Sequence, residues 1–256
     1  MNRILFEPSE IVRGVVTFDD VRAEHVLKIL HGEVGQTLKT GEVGGPIGTG
    51  EIVAIGGRSV TVRVNHADAS LVPWIDLVLA PPRPRVMKRL LPQLAALGVG
   101  RIFLVGAKKV EKDFWGATLL KPENYRPLLV DGLMQAGTSV LPTLETRRNF
   151  RAFVRDELDA LFPDSRRIVA HPYDARSGAR SDERDARRPL LAIGPEGGWT
   201  DEEVSLLEAH RFVRRSLGSR ILRTDTATVA LLAQLMAECG TPSDKLPSPV
   251  PSDFMV

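Results

Sequence analysis

The chain has 256 residues, of which 43% are apolar and 26% are charged, so we expect a globular protein of one large or two small domains rather than a disordered one. It has no long apolar run, no secretory-signal pattern and one cysteine, Cys239, which predicts a cytoplasmic protein without a membrane span, intramolecular disulfide or multi-cysteine zinc site. Because the formal net charge is only +2, any role in binding nucleic acid must rest on where the charges lie.

Residues 1–72 are predicted to form a β-rich unit. Short runs in which apolar and polar residues alternate predict strands at 14–18, 50–55 and 59–64. The stretch between the first two strands, at 21–30, has an apolar stripe at helical spacing and predicts a single helix.

From residue 73 onward, short apolar runs alternate with helical stretches. The predicted strands lie at 75–80, 102–105, 168–170, 190–193 and 213–216. The predicted helices lie at 86–97, 122–135, 150–161, 201–209 and 226–239. Because the strands lack alternation, we expect a parallel sheet covered on both faces, within an α/β domain at 73–240. Pro92 is predicted to kink or end its helix, and the proline- and serine-rich segment 241–256 is predicted to be a disordered tail.

The charges are unevenly distributed along the chain. Residues 1–72 contain seven basic and nine acidic side chains, whereas residues 82–110 contain seven basic side chains and no acidic one. The seven cations are Arg83, Arg85, Lys88, Arg89, Arg101, Lys108 and Lys109. Such a stretch is either a surface that contacts phosphates or an ordinary solvated face.

A glycine-rich loop follows the strand at 190–193. Its sequence, GPEGG, precedes Trp199 and a helix start at which Thr200 and Glu203 match the capping-box pattern. Ligands bind beyond the carboxyl ends of strands in open α/β sheets, so the loop predicts either a ligand site or a tight turn. We expect Trp199 to pack inside the fold rather than to stack on a base.

A second loop precedes the last predicted helix. In LGSRILRTDTATVALLAQL, at 217–235, the helix is apolar almost all round, so it must be buried within the chain or against a second subunit. Thr224 and Asp225 suit a helix start, but Arg223 places a cation where the helix dipole disfavours one.

GPEGGW and LGSRILRTDTA resemble the GPEGG and LG-x-R-ILR-T-E-TA signatures of the RsmE-type 16S rRNA uracil-N3 methyltransferases of the SPOUT superfamily. Residues 22–42 are similar to the family's N-terminal segment, which lies in a PUA-like β-barrel. The resemblance implies an α/β fold in which a SPOUT-type parallel sheet with a deep trefoil knot at 73–240 follows a PUA-like, RNA-binding barrel at 1–72. It also implies a homodimer with each active site near the subunit interface.

The resemblance implies that the knot binds S-adenosylmethionine. The residues expected to bind it are Ile193, Gly194, Pro195, Glu196, Gly197, Gly198, Leu217, Gly218, Ile221, Leu222 and Arg223. The implied reaction is transfer of a methyl group to N3 of a uridine near the decoding site, in a base that is unpaired or flipped out.

Arg223 and Asp225 are the expected catalytic residues. Arg223 would stabilise the negative charge that develops on the uracil or orient the base, and Asp225, where the family has Glu, would orient Arg223. The expected RNA contacts are Arg22, His25, Lys28, Arg83, Arg85, Lys88 and Arg89, with the acid-free stretch beside the cofactor pocket. No metal is expected, because His171 and His210 lack partners at metal-ligand spacing.

The sequence departs from the family at positions on the substrate side. The family's Lys and Glu fall at Gln93 and Ala96, its Arg falls at Thr138, and its E-R-S loop is replaced by the segment around Lys108 and Lys109. Three functions therefore remain open: the family's reaction on ribosomal RNA, methylation of another RNA base or position, and RNA binding without catalysis.

Overall fold

Two β-sheets organise the residues that the structure, a computed structural model, describes: 2–172 and 185–239. A five-stranded sheet lies within the first 68 residues, and a six-stranded sheet runs from residue 75 to residue 215. None of the described helices is long and apolar enough to cross a membrane. The predicted tail at 241–256 lies outside the described residues.

The N-terminal sheet is mixed and curls into half a barrel. Its strands are β1 (Ile4–Phe6), β2 (Val15–Phe18), β3 (Thr37–Glu42), β4 (Ile47–Gly56) and β5 (Ser59–Asp68). They lie in the order β1-β3-β4-β5-β2, in which only the β1–β3 pair is parallel. Helix α1 (Val21–Lys28) buries Val26 in the core of this sheet, together with Phe6, Phe18 and Ile52.

The C-terminal sheet is parallel throughout, which confirms the predicted α/β fold. Its strands are β6 (Ile75–Leu79), β7 (Val99–Val105), β8 (Thr143–Arg147), β9 (Arg166–Ala170), β10 (Pro189–Ile193) and β11 (Val213–Arg215). They lie in the order β11-β9-β10-β6-β7-β8. The central strands β6 and β10 are buried along their whole length, because hydrophobic clusters cover both faces of the sheet.

The predicted C-terminal helices are all present. They are α2 (Pro84–Ala96), α3 (Pro122–Ala136), α4 (Phe150–Ala152), α5 (Leu158–Leu161), α6 (Asp201–Ala209) and α7 (Thr224–Cys239). A π-helical turn, Phe153–Glu157, joins α4 to α5, so the segment predicted as one helix is helical throughout. Helix α2 continues past Pro92 to Ala96, so of the two outcomes predicted for this proline, a kink or an early end, the early end does not occur.

The helix α2 crosses α3 at close range. A β-carbon at Gly132 of α3 would lie 2.0 Å from the carbonyl oxygen of Pro92, so only glycine permits this approach. On the same face of the sheet, α7 buries Leu231, Leu232 and Leu235. Intrachain packing therefore covers the predicted apolar stripe of α7 at these three positions.

Polar contacts join residues 2–72 to helix α3 and the segment that follows it. The guanidinium of Arg126 in α3 pairs with Glu7, and Nε of Arg3 donates to the carbonyl oxygen of Gly137 over 2.9 Å. Thr138 is buried, and its hydroxyl lies 3.0 Å from that of Ser70. Thr138, which was predicted to stand at the position of an arginine in the resembled family, thus belongs to the contact between the segment after α3 and the segment after β5.

Candidate active site

A cleft lies at the carboxyl ends of β9, β10 and β11, where the two predicted loops meet. This loop cleft has a volume of about 420 Å³. Ten of the eleven residues expected to bind the cofactor line it: Ile193, Gly194, Pro195, Glu196, Gly197, Gly198, Leu217, Gly218, Ile221 and Leu222. The structure thus brings both sequence motifs into one cavity, at the edge of the sheet where α/β proteins bind ligands.

The GPEGG loop forms the first wall of the loop cleft. Gly198 has φ of +67°, a left-handed conformation that favours glycine, and its N–H donates to the carbonyl oxygen of Pro195 over 2.8 Å. The capping box is present, because Thr200 and Glu203 exchange backbone-to-side-chain hydrogen bonds at the start of α6. Trp199 is buried with its ring 5.1 Å from that of Phe150, which confirms the expected packing inside the fold.

The second wall is formed by the loop that leads into α7. Gly218 has φ of +101°, and Ser216 holds this turn through hydrogen bonds with Gly218 and with the carbonyl oxygen of Pro172. Apolar side chains of this loop remain open to solvent: Leu217 is 36% exposed and Ile221 is 77% exposed. This wall can therefore cover the apolar part of a bound molecule.

The segment after β7, which was predicted to stand in place of the E-R-S loop of the resembled family, also contacts the site. The backbone N–H of Lys108 donates to Oε1 of Glu203 over 2.7 Å, and Nζ of Lys109 donates to the carbonyl oxygen of Gly197 over 2.7 Å. Lys109 lines the loop cleft. The sequence analysis identified both lysines only as cations. Lys109 and Gly197 are separated by 88 positions, and the residues around either one do not indicate the contact between them.

A second cleft adjoins the first. This arginine cleft, of about 480 Å³, is lined by Arg83, Val86, Arg89, Glu196, Arg223, Thr224 and Asp225. Glu196 and Thr224 line both clefts and form the boundary between them. Arg223 was expected at both cofactor and substrate, but it lines only the arginine cleft.

The contacts of Asp225 differ from the expected ones. Its carboxylate pairs with the guanidinium of Arg89 over 3.3 Å and accepts from the N–H of Thr226 over 3.0 Å. The expectation that Asp225 orients Arg223 is therefore wrong, because α2 supplies the partner. The side chain of Arg223 forms no hydrogen bond with the described residues, which leaves its guanidinium available to a ligand.

The acid-free stretch at 82–110 is not a single cationic surface. Arg83 and Arg89 line the arginine cleft, and Arg85 and Lys88 are exposed on the same helix, α2, outside both clefts. Arg101 lies near the opposite edge of the sheet, where it and Arg188 bind the buried carboxylate of Asp76 over 2.8 and 2.7 Å. The expectation that all seven cations lie beside the pocket is wrong for Arg101.

The N-terminal residues expected to contact RNA line neither cleft. The guanidinium of Arg22 binds Glu10 and Asp20 and lies over the ring of Phe6, so it is committed to contacts within the N-terminal sheet. Lys28 is exposed and pairs with Glu24 over 2.5 Å, and His25 is half-buried on α1. Their contact with RNA stays a prediction.

Two further expectations concern the substrate-side positions Gln93 and Ala96 and the absence of a metal site. Gln93 is exposed and Ala96 is half-buried, both in the last turns of α2. No group of three potential metal ligands occurs within residues 2–172 and 185–239. His171 lines the loop cleft, whereas Nδ1 of His210 lies 2.9 Å from the carboxylate of Asp159.

Comparison with known proteins identifies the family. The RNA methyltransferase domain family matches residues 70–236. The ribosomal RNA small subunit methyltransferase E of Treponema pallidum is 30% identical over 255 residues, which cover 97% of this chain and 96% of the relative. The chain therefore belongs to the RNA methyltransferase family that includes the ribosomal RNA small subunit methyltransferases E. The protein of the same name from Synechocystis sp. is 26% identical, over 92% of this chain and 77% of the relative.

Solved structures show the same fold. The family member from Neisseria gonorrhoeae, bound to S-adenosyl methionine, superposes with a TM-score of 0.72 at 20% identity, over 93% of this chain and 97% of the other. A methyltransferase from Legionella pneumophila, in complex with the same cofactor, has a TM-score of 0.71 at 26% identity, over 92% of this chain and 97% of the other.

Proposed function

We propose that this protein uses S-adenosylmethionine to methylate N3 of a specific uridine in small-subunit, 16S ribosomal RNA. The observation that carries the proposal is the pair of adjoining clefts, one formed by the two motif loops and the other by three arginines. Two clefts that meet at Glu196 and Thr224 suit a reaction that transfers a group between two bound molecules. The membership of the family supports the reaction type and the RNA class.

The residues of the loop cleft fit the cofactor. Gly194, Gly197 and Gly198 leave backbone without side chains along one wall, and Leu217 and Ile221 supply uncovered apolar surface along the other. Backbone polar groups can recognise an adenine edge, and the apolar side chains can cover its ring. When bound, S-adenosylmethionine supplies a methyl group that its positively charged sulfur activates for transfer.

The arginine cleft fits an unpaired pyrimidine and its phosphates. N3 of uracil must lose its proton as it is methylated, and the resulting negative charge spreads onto O2 and O4. The free guanidinium of Arg223 can donate to these oxygens and stabilise that charge. Arg83 and Arg89 also line the cleft; although they pair with Glu111 and Asp225, their side chains are 69% and 62% exposed and can bind the backbone of a flipped-out nucleotide.

The larger architecture is part of the same proposal. We infer that residues 1–72 are a PUA-like barrel that binds RNA and that residues 73–240 are the catalytic domain with a deep trefoil knot. We further infer a homodimer, in which the exposed apolar residues of the second loop lie near the subunit interface. A ribosomal substrate places the reaction in the cytoplasm.

The test is methyl transfer from labelled S-adenosylmethionine to isolated small ribosomal subunits, followed by mass mapping of the modified nucleosides. The proposal expects one N3-methyluridine per subunit. A different methylated base or position would instead support another RNA specificity. Cofactor binding without any methylated RNA, or no cofactor binding at all, would support the RNA-binding alternative.

A further inference from the structure

The side chain of Lys109 spans the gap between two loops of the loop cleft. It leaves the segment after β7, passes directly against Gly197 and ends with Nζ 2.7 Å from the carbonyl oxygen of that glycine. A β-carbon at Gly197 would lie 2.9 Å from Cδ of Lys109, so the lysine stem occupies the space that a side chain would take. The two residues are thus packed together as well as hydrogen-bonded.

The GPEGG loop has few other contacts to fix its conformation. Its glycines have no side chains to pack, and glycine loses more conformational freedom on ordering than any other residue. Besides the Gly198-to-Pro195 bond, the loop is held where Oε1 of Glu196 accepts from the backbone N–H of Arg83 over 2.9 Å. The bond from Lys109 holds the opposite side of the loop, at the carbonyl oxygen of Gly197.

The base of Lys109 is rigidly placed. The preceding residue, Lys108, donates its backbone N–H to the buried carboxylate of Glu203, and the same carboxylate closes the capping box with Thr200. Glu203 therefore fixes both the segment that carries Lys109 and the helix that follows the GPEGG loop. A charged donor on a fixed base can hold a flexible backbone in one conformation.

We propose that Lys109 is a positioning residue of the cofactor site: its ammonium group holds the GPEGG loop in the conformation that forms the wall of the loop cleft. The inference rests on the proposed function, because the ligand of the cleft is S-adenosylmethionine. Without the bond to Gly197, the loop must be ordered when the cofactor binds, and affinity falls by the cost of that ordering.

Lys108 provides a matched control. Its side chain is exposed and forms no hydrogen bond or ion pair with the described residues, and only its backbone N–H contributes to the site. Lys108→Met and Lys109→Met therefore remove the same charge from adjacent positions and retain an unbranched stem. Only the second substitution removes the donor to Gly197.

The experiment measures S-adenosylmethionine binding by calorimetry for the wild type, Lys108→Met, Lys109→Met and Lys109→Arg, with the Tm of each protein. We expect Lys109→Met to raise Kd about fivefold, which corresponds to a partly solvated charge-assisted hydrogen bond. We expect Lys108→Met to match the wild type and Lys109→Arg, which retains a cationic donor, to recover most of the loss. Binding of small subunits without cofactor should be unchanged in all four.

Each other result has a defined meaning. Equal cofactor affinity in Lys109→Met and Lys108→Met overturns the inference while leaving the proposed function intact. Weaker subunit binding with normal cofactor binding in Lys109→Met also overturns it, because Lys109 then acts on RNA; a small fall in Tm together with weaker cofactor binding is what loss of the bond to Gly197 predicts. If the wild type itself does not bind S-adenosylmethionine, the proposed function is refuted. The results for the variants test only the role of Lys109.

Discussion

The guanidinium of Arg223 lines the arginine cleft and has no hydrogen-bond partner among the described residues. Because Arg223 is exposed and its side chain makes no hydrogen bond or ion pair within the described residues, all of its donors are available to a ligand. We expect Arg223→Ala to reduce kcat by about 10²-fold to 10³-fold, in the range found when a donor to developing negative charge is removed. Calorimetry should show cofactor affinity within about twofold of the wild type, since Arg223 lies outside the loop cleft. Near-normal turnover would contradict its assignment.

The pair formed by Arg89 and Asp225 gives a second prediction at this scale. Helix α2 supplies a guanidinium to Asp225 in the first turn of α7, and both side chains line the arginine cleft. We expect Arg89→Met to weaken subunit binding and leave cofactor binding unchanged, because it removes a cation only from the substrate side. Arg85→Met removes a cation from the same helix outside the cleft, so it should cost only one non-specific phosphate contact, weaken subunit binding less than Arg89→Met and serve as the control for charge. Equal effects of the two substitutions on turnover would show that Arg89 acts only through overall charge.

At the scale of elements, the sequence predicted what depends on local pattern. Helix α6 was predicted at its observed bounds because a capping box marks its start. Strand β8 was missed, because an edge strand with the sequence TLETR has no apolar run to reveal it. The short strand β1 was missed because three residues are too few to establish a periodicity.

In the candidate site, too, only the features that depend on local pattern were predicted from the sequence. Both loops were predicted from their own residues, but the ion pair of Asp225 with Arg89 and the hydrogen bond from Lys109 to Gly197 were not. Those contacts join segments separated by 136 and 88 positions. The residues next to Asp225 or Lys109 do not indicate the distant partner, because only the folded chain brings the two segments together.

The crossing of α2 over α3 depends on one glycine. Gly132→Ala would place a β-carbon 2.0 Å from the carbonyl oxygen of Pro92, and because the obstacle is backbone, the two helices must separate. We expect the free energy of unfolding to fall by about 1–3 kcal/mol, even though alanine favours helix by up to about 1 kcal/mol over glycine. Gly116→Ala, at a position with open space around it, is the control for denaturant titration. An unchanged midpoint would show that the helices do not pack this closely.

The far end of α7 is tied to the sheet by Glu238. Its carboxylate accepts from Arg166 over 2.9 Å and from Arg215 over 2.8 Å, which joins the helix to β9 and β11. Burial by itself raises the pKa of Glu238, but hydrogen bonds from the two guanidinium groups outweigh it and hold the pKa below its usual range.

The lowered pKa of Glu238 sets the pH at which this contact contributes. A carboxylate with a depressed folded-state pKa stabilises the fold above its unfolded pKa, about 4.3, and the contribution is lost as pH falls through the folded pKa. We expect Glu238→Gln to lower the free energy of unfolding by roughly 1 kcal/mol at pH 7. The difference from the wild type should shrink below about pH 4. A difference that stays constant down to pH 3 would mean that the ion pairs do not contribute.

For the whole molecule, charge is distributed so that few cations face the substrate. Arg101 and Arg188 are bound to Asp76, and Arg22 is bound to Glu10 and Asp20, so a large share of the positive charge serves internal contacts. Apart from Arg223, which is assigned to the base, the exposed cations that line the arginine cleft or lie on the adjoining helix are those of α2 and the residue before it: Arg83, Arg85, Lys88 and Arg89. Non-specific attraction to RNA should therefore be modest.

This distribution predicts how binding depends on salt and on the form of the RNA. About four phosphate contacts give a slope near −3 for log K against log salt concentration, for naked 16S rRNA as for subunits. The electrostatic attraction is small and is the same for naked 16S rRNA and for assembled subunits, so preference for the correct target must come from the shape of the RNA. We therefore expect methylation of assembled small subunits to exceed that of naked 16S rRNA by tenfold or more. Filter binding across a salt series measures the slope, and Arg85→Gln should make it shallower by about one. A slope steeper than about −6, or equal methylation of naked and assembled RNA, would show that charge rather than the shape of the particle selects the substrate.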